Sequence, residues 1–211
     1  MMIYIFEDRT ERMQRNESKL KDYSDVCKFT KYDELAKDGS IEEFAVSLSP
    51  ERDCVIFHKS YALQGGMSID QVKKYFTQFG IPFVEYSGGV ERSNVVRTQD
   101  TKYYIINAEL MYSNLPAFLD WCRRYNKIVC DVLIWGNDFK KNRTFSLFAQ
   151  FYAENFLDKR WTDEVPKAEI SRVARAINRH FGKDCTIDIL SKSALTWYNV
   201  FEFVQNLVNR L

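Results

Sequence analysis

Met2-Ile3-Tyr4-Ile5-Phe6-Glu7-Asp8 is an apolar run that stops on two adjacent acids, and Asp53-Cys54-Val55-Ile56-Phe57-His58 is a second that stops on a histidine. Outward from this pair, β-rich runs recur at residues 26–29, 82–86 and 103–107, with helix-like stretches between them. In residues 68–79, Ile69, Val72, Tyr75 and Phe76 recur at helical spacing; residues 11–20 are similarly amphipathic, and residues 41–48 carry a weaker pattern. Strands at 3–6, 26–29, 54–57, 82–86 and 103–107 alternating with helices predict an α/β domain, doubly wound, with a five-stranded parallel sheet covered on both faces.

The last helix of this domain is expected at residues 115–124, where Leu115, Phe118, Leu119 and Cys122 share a stripe and Pro116 suits a first turn. Residues 88–99, GGVERSNVVRTQ, have no helical apolar stripe, which predicts a loop in place of a fourth crossover helix. The expected division is a domain over residues 1–124 and a smaller, mainly α-helical C-terminal lobe over 125–211.

That lobe opens on an apolar run at 128–135, read as a sixth strand ended by Gly136-Asn137-Asp138. Helices are expected at 146–157, at 166–181 with Gly182 as C-cap, and at 193–211 with Ser193 as N-cap, the last preceded by a short strand at 186–190. The 193–211 helix is apolar over more than half its circumference through Leu195, Trp197, Val200, Phe201, Phe203, Val204, Leu207 and Val208. It must be covered, by its own chain or by a homodimer or protein partner.

Composition narrows the class. A hydrophobic content of 45% excludes disorder, and the apolar runs are too short to span a bilayer. With 30 basic and 29 acidic residues, the field of the whole molecule offers no attraction for nucleic acid or anionic membrane. The N-terminal residues lack the pattern of a secretory signal, so a cytoplasmic location is expected. Cys27, Cys54, Cys122, Cys130 and Cys185 are widely spread with no C-x-x-C pair, which fits buried apolar residues better than disulfides or zinc ligands. No glycine-rich phosphate loop, nucleophile elbow or H-E-x-x-H pair occurs, so no nucleotide cofactor is expected.

MIYIFEDRTERM, RDCVIFHKSYALQGG, GIPFVEYSGG and KYYIINAELMYSNLPAFLDWC, in this order, resemble the receiver domain of bacterial two-component response regulators over residues 2–124. The resemblance implies a flavodoxin-like fold, with Glu7 and Asp8 as the magnesium-binding acids and Ser87 as the hydroxyl that ends the fourth strand. It places His58 where the family carries its phosphoacceptor aspartate, and Asn107 or Ala108 where it carries a lysine. Phosphoryl transfer to a carboxylate needs a divalent cation beside the acceptor and groups on the transferred oxygens. Without acceptor and lysine, aspartyl phosphorylation is not expected. His58 could accept phosphate in principle, but alternation along an extended segment points Lys59 away from it.

The leading expectation is therefore a non-enzymatic regulatory or interaction protein, a degenerate receiver-like domain acting through surfaces, with no cofactor unless Mg is bound at Glu7 and Asp8. The alternative is a metal-dependent phosphodiesterase or nuclease in which Glu7, Asp8 and His58 hold a cation and Lys59 or Arg92 contacts phosphate, with Ser87 nearby. Arg172, Arg175 and Arg179 share one side of the 166–181 helix and form a candidate nucleic-acid patch, a weaker expectation than a solvated helix face. The simplest structural reading has Glu7 and Asp8 ending a strand and favouring the next helix N-terminus, His58 hydrogen-bonded at a strand end, and Ser87 serving a turn.

Overall fold

The computed structural model describes residues 1–30, 41–61, 67–91, 93–97 and 102–152, together with Ala168, Ser171, Thr196, Glu202 and residues 204–206. The chain divides into compact units Met1–Gly136 and Asn137–Leu211.

In the first unit the order is β1 (Met2–Phe6), α1 (Thr10–Leu20), β2 (Cys27–Thr30), α2 (Ile41–Ser47), β3 (Asp53–His58), α3 (Ile69–Gln78), β4 (Phe83–Ser87), β5 (Asn94–Arg97), β6 (Lys102–Asn107), α4 (Ala108–Tyr125) and α5 (Asp131–Trp135). The sheet runs β2-β1-β3-β4-β6-β5. The first five of these strands are parallel and β5 pairs antiparallel to β6. This is the doubly wound α/β fold expected from the alternation of runs.

The central strands β1, β3 and β4 are short, apolar and largely buried because helices cover both faces. On one face Phe6, Phe57 and Phe83 meet Ala45 of α2 and Val72 and Phe76 of α3; Phe57 and Phe83 stack at 6.2 Å, and Phe76 and Phe83 at 5.7 Å. The other face carries Ile3, Ile5, Cys54, Ile56, Val84 and Tyr86, all fully buried. Ser68 starts α3 with a reciprocal cap, its hydroxyl accepting from the Gln71 amide and the Gln71 side chain accepting from the Ser68 amide.

Several expectations are corrected. Residues 88–99 are not wholly loop, because Asn94–Arg97 pairs with Lys102–Asn107 as an edge strand. The adjacent β-branched Val95 and Val96 suit that edge, although a pair of apolar residues is too short to show a period. The last helix begins at Ala108, so Pro116 lies inside it rather than in its first turn. The start is set by Asn107, whose Oδ1 accepts from the amides of Glu109 at 2.9 Å and Leu110 at 3.3 Å.

The run at 128–135 is not a sixth strand. Asn126 ends α4 in the left-handed region (φ 48°), the chain reverses, and Asp131–Trp135 forms a short helix that buries Val132, Leu133 and Ile134. A continuous apolar run cannot by itself tell a buried helical turn from a buried strand. Because α5 packs on α4, residues 125–136 belong with the first unit. Gly136 follows with φ +57°, and a Cβ there would lie 2.8 Å from Asn114 Oδ1, so only glycine fits.

In the second unit the described element is α6 (Phe139–Tyr152), which starts seven residues before the helix expected at 146–157. The expected helices at 166–181 and 193–211, the strand at 186–190 and the arginines Arg172, Arg175 and Arg179 lie outside the described residues, apart from the few positions named above. No helix among the described residues is long and apolar enough to cross a membrane.

Candidate strand-end site

The carboxyl ends of β1, β3 and β4 lie side by side in the sheet, with His58 registered against Tyr86 and Phe6 against Phe57. Parallel sheets place their polar sites at this end. Alternation puts His58 and Tyr86 on the face covered by α4, and the two rings meet edge to face at 5.0 Å.

Glu7 is 1% exposed and is surrounded by donors. Its Oε1 accepts from the Arg9 amide at 3.1 Å, and Arg12 Nη1 reaches Oε2 at 3.1 Å and Oε1 at 3.4 Å. On Oε2 the Tyr112 hydroxyl donates at 2.8 Å and the Tyr86 hydroxyl lies at 3.0 Å. Tyr86 has one proton to divide between Glu7 and the Phe6 carbonyl, 3.2 Å away. Thus β1, α1, β4 and α4 all meet on one carboxylate.

Burial pushes the Glu7 carboxyl up, but the adjacent Asp8 carboxyl, the Tyr112 hydroxyl, the Arg9 amide and the Arg12 charge outweigh it and hold Glu7 below the usual carboxylate range. Asp8 moves the other way, raised by burial and by its contact with Glu7. Desolvation raises the Tyr112 phenol and carries Tyr86 well above its ordinary value, so both are protonated donors.

His58 is 2% exposed. Its Nδ1 lies 3.0 Å from Asp8 Oδ1, yet makes no hydrogen bond: the two groups are close without being aligned. Burial lowers the imidazole pKa, overriding the raising effect of Asp8 and Glu7. Glu7, Asp8 and His58 each bring one ligand-type atom within 4.8 Å of the others.

The three residues singled out from strand ends are therefore neighbours in space, but the expected ion does not fit Glu7 well. A carboxylate offers about four lone-pair directions, and four donor groups already occupy this one. Magnesium requires near-octahedral oxygen ligation, and what stays open is one partly exposed aspartate and an imidazole nitrogen.

The other candidates separate. Lys59 leaves on the opposite face, 3.8 Å from Glu85, where Lys73 makes the closer pair with Glu85 at 2.8 Å and lies over the Tyr103 ring at 4.3 Å. The alternation argument for Lys59 is met. Ser87 Oγ accepts from the Gly89 amide at 3.3 Å, which is turn chemistry. Asn107 is spent on capping α4, while its Nδ2 donates to the Val90 carbonyl at 2.9 Å. Arg92 lies outside the described residues.

Sequence reasoning did not find Arg12, Tyr86 or Tyr112. Tyr86 carried a usable signal, since it occupies in the GIPFVEYSGG strand the place that faces His58. Arg12 falls in the first turn of α1, within reach of a strand-end acid. Tyr112 had no signal until the start of α4 was known. Comparisons with protein-family models, curated proteins and solved structures find no match.

Proposed function

We propose that the chain is a non-enzymatic regulatory or interaction protein, built on a receiver-like domain that has lost phosphoryl-acceptor chemistry and signals through its surfaces in the cytoplasm. The observation that carries this reading is the end of β3: a buried His58, packed against Tyr86, stands where the resemblance calls for a solvent-facing carboxylate. Asn107, at the place of the lysine, has both ends of its amide committed to the backbone. Among the described residues at this end, the open carboxylate is Asp8, at the end of β1 and not of β3, and the carboxylate beside it, Glu7, is already occupied by hydrogen-bond donors. The partner is a protein or a second copy of the chain, and the apolar sequence of residues 193–211 is the candidate contact.

Incubation with a small acyl phosphate and magnesium, followed by intact-mass and acid-stability analysis, tests the reading. An unmodified protein is expected. A stoichiometric phosphoryl adduct on His58, Asp8 or Glu7 would remove it. Sedimentation of the full chain over a wide concentration range tests the contact; the mass of a single chain at every concentration would sink the homodimer form.

A further inference from the structure

A divalent cation at the strand ends would depend on Glu7, whose two oxygens already face Arg9, Arg12, Tyr86 and Tyr112. Two of these donors are neutral phenols and one is a neutral amide. Only Arg12 brings charge. Its Nη1 lies between the two oxygens, at 3.1 and 3.4 Å, and the side chains are 23% and 0% exposed, so the pair is largely withdrawn from water.

We propose that Arg12 is the resident cation of the strand-end site: its guanidinium stands where the receiver resemblance places magnesium, and neutralises Glu7 without metal or phosphoryl group. A guanidinium is permanently charged and covalently attached, so it cannot be exchanged, chelated or titrated away. With Glu7 and Arg12 cancelling each other, Asp8 is the one remaining carboxylate of the cluster, and a single carboxylate beside an imidazole is a weak host for a hard divalent ion. Geometry supports the assignment independently of charge. Arg12 sits in the first turn of α1, and the same helix start supplies the Arg9 amide, so one element delivers both the charge and a neutral donor to Glu7.

The consequence is regulatory. A receiver-like site whose cation is part of the chain does not respond to phosphodonors or to magnesium, and any signal has to enter elsewhere. This stands whether or not the chain works by binding a partner, and a phosphoryl adduct on a metal-indifferent protein would remove the regulatory reading while leaving the Arg12 assignment intact.

The test uses the full chain and two readouts. One is the unfolding temperature with and without MgCl2 or MnCl2; the other is Mn2+ broadening of the histidine ring signals, which are easily assigned because the chain has two histidines. The wild type is expected to show neither a shift nor selective broadening of His58. Arg12→Ala should gain both, with Mn2+ affinity rising by roughly tenfold or more once the competing charge is gone. Arg12→Lys, which keeps a charge, should stay silent. Should Arg12→Ala fail to fold, Arg12→Gln carries the same expectation as the alanine variant. Selective Mn2+ broadening of His58 in the wild type, binding by Arg12→Lys equal to that of Arg12→Ala, or uncharged variants as indifferent as the wild type would each overturn the proposal.

Discussion

The hydroxyls of Tyr86 and Tyr112 lie 3.2 Å apart and converge on the same oxygen of Glu7, so a central strand and the last helix of the sheet are tied through one buried carboxylate. Removing either phenol leaves the other to serve Oε2 beside Arg12. Tyr112→Phe and Tyr86→Phe should each cost about 1–2 kcal/mol. The double variant should depart from additivity by about 0.5 kcal/mol or more because both act on one acceptor. Urea unfolding of the four proteins closes the cycle; simple additivity would mean that the shared oxygen is not what couples them.

Glu7→Gln keeps the shape and removes the charge. It leaves Arg12 without its counter-ion and turns one acceptor into a donor facing phenols. A loss of about 2–4 kcal/mol is expected, measurable as a lower urea midpoint at unchanged slope.

Stability should also depend on pH in a defined direction. The His58 pKa in the folded protein lies below the ordinary imidazole value of 6.5, so on acidification the unfolded chain takes up this proton first. The contribution is fully present above pH 6.5 and is lost as pH falls through the depressed folded value. Glu7, lowered from 4.5, adds loss in the same direction at more acid pH, whereas Asp8, raised from 3.8, opposes it. The unfolding temperature of the wild type should therefore fall from pH 6.5 downward, and that of His58→Gln should fall less over the same first interval. Parallel curves for the two proteins would show that His58 is not the titrating group.

Gly136→Ala forces a side chain into a left-handed conformation and towards Asn114 Oδ1, 2.8 Å from the ideal Cβ position. A cost of about 1–3 kcal/mol is expected. Asn114→Ala in the same background should relieve the contact but not the backbone strain, while losing the hydrogen bond from Asn114 Nδ2 to the Leu133 carbonyl at 3.1 Å. Little or no recovery in thermal unfolding is the expected result.

Cys27, Cys54, Cys122 and Cys130 are buried thiols. Burial pushes Cys27 up to about 12, and Cys54, whose sulfur lies 3.9 Å from that of Cys130, is raised by that contact and by burial. These four should resist alkylation in the native protein and react together on unfolding. Mass spectrometry of carbamidomethylated native protein checks this residue by residue; native labelling at Cys54 would contradict the burial of β3.

Much of the fold was written in the sequence because parallel strands covered on both faces announce themselves as apolar runs: β1, β3 and β4 needed no periodicity to be seen. The site was half legible for the same reason. Glu7, Asp8 and His58 mark where such runs stop, and neighbouring runs place their stops together. What stayed hidden depends on packing rather than on local pattern. β5 left no periodic signal in the sequence, and it exists as a strand only through its pairing with β6. The start of α4 is a property of the Asn107 cap, and without it Tyr112 has no direction. In α5 the apolar run of residues 131–135 folds as a helix because Asn126 reverses the chain and α4 offers a surface.

The β5–β6 hairpin also bears on the order of assembly. Pairing Arg97 with Lys102 closes a very short loop, whereas pairing Met2 with Asp53 must bring together distant parts of the chain. Hairpins form in about 1–10 μs, and long-range parallel pairings are slower because loop-closure entropy comes first. In a fold whose other strands all wait on distant partners, this antiparallel flank gives β6 a pairing it can make at once, and β4 a preformed edge on which to dock.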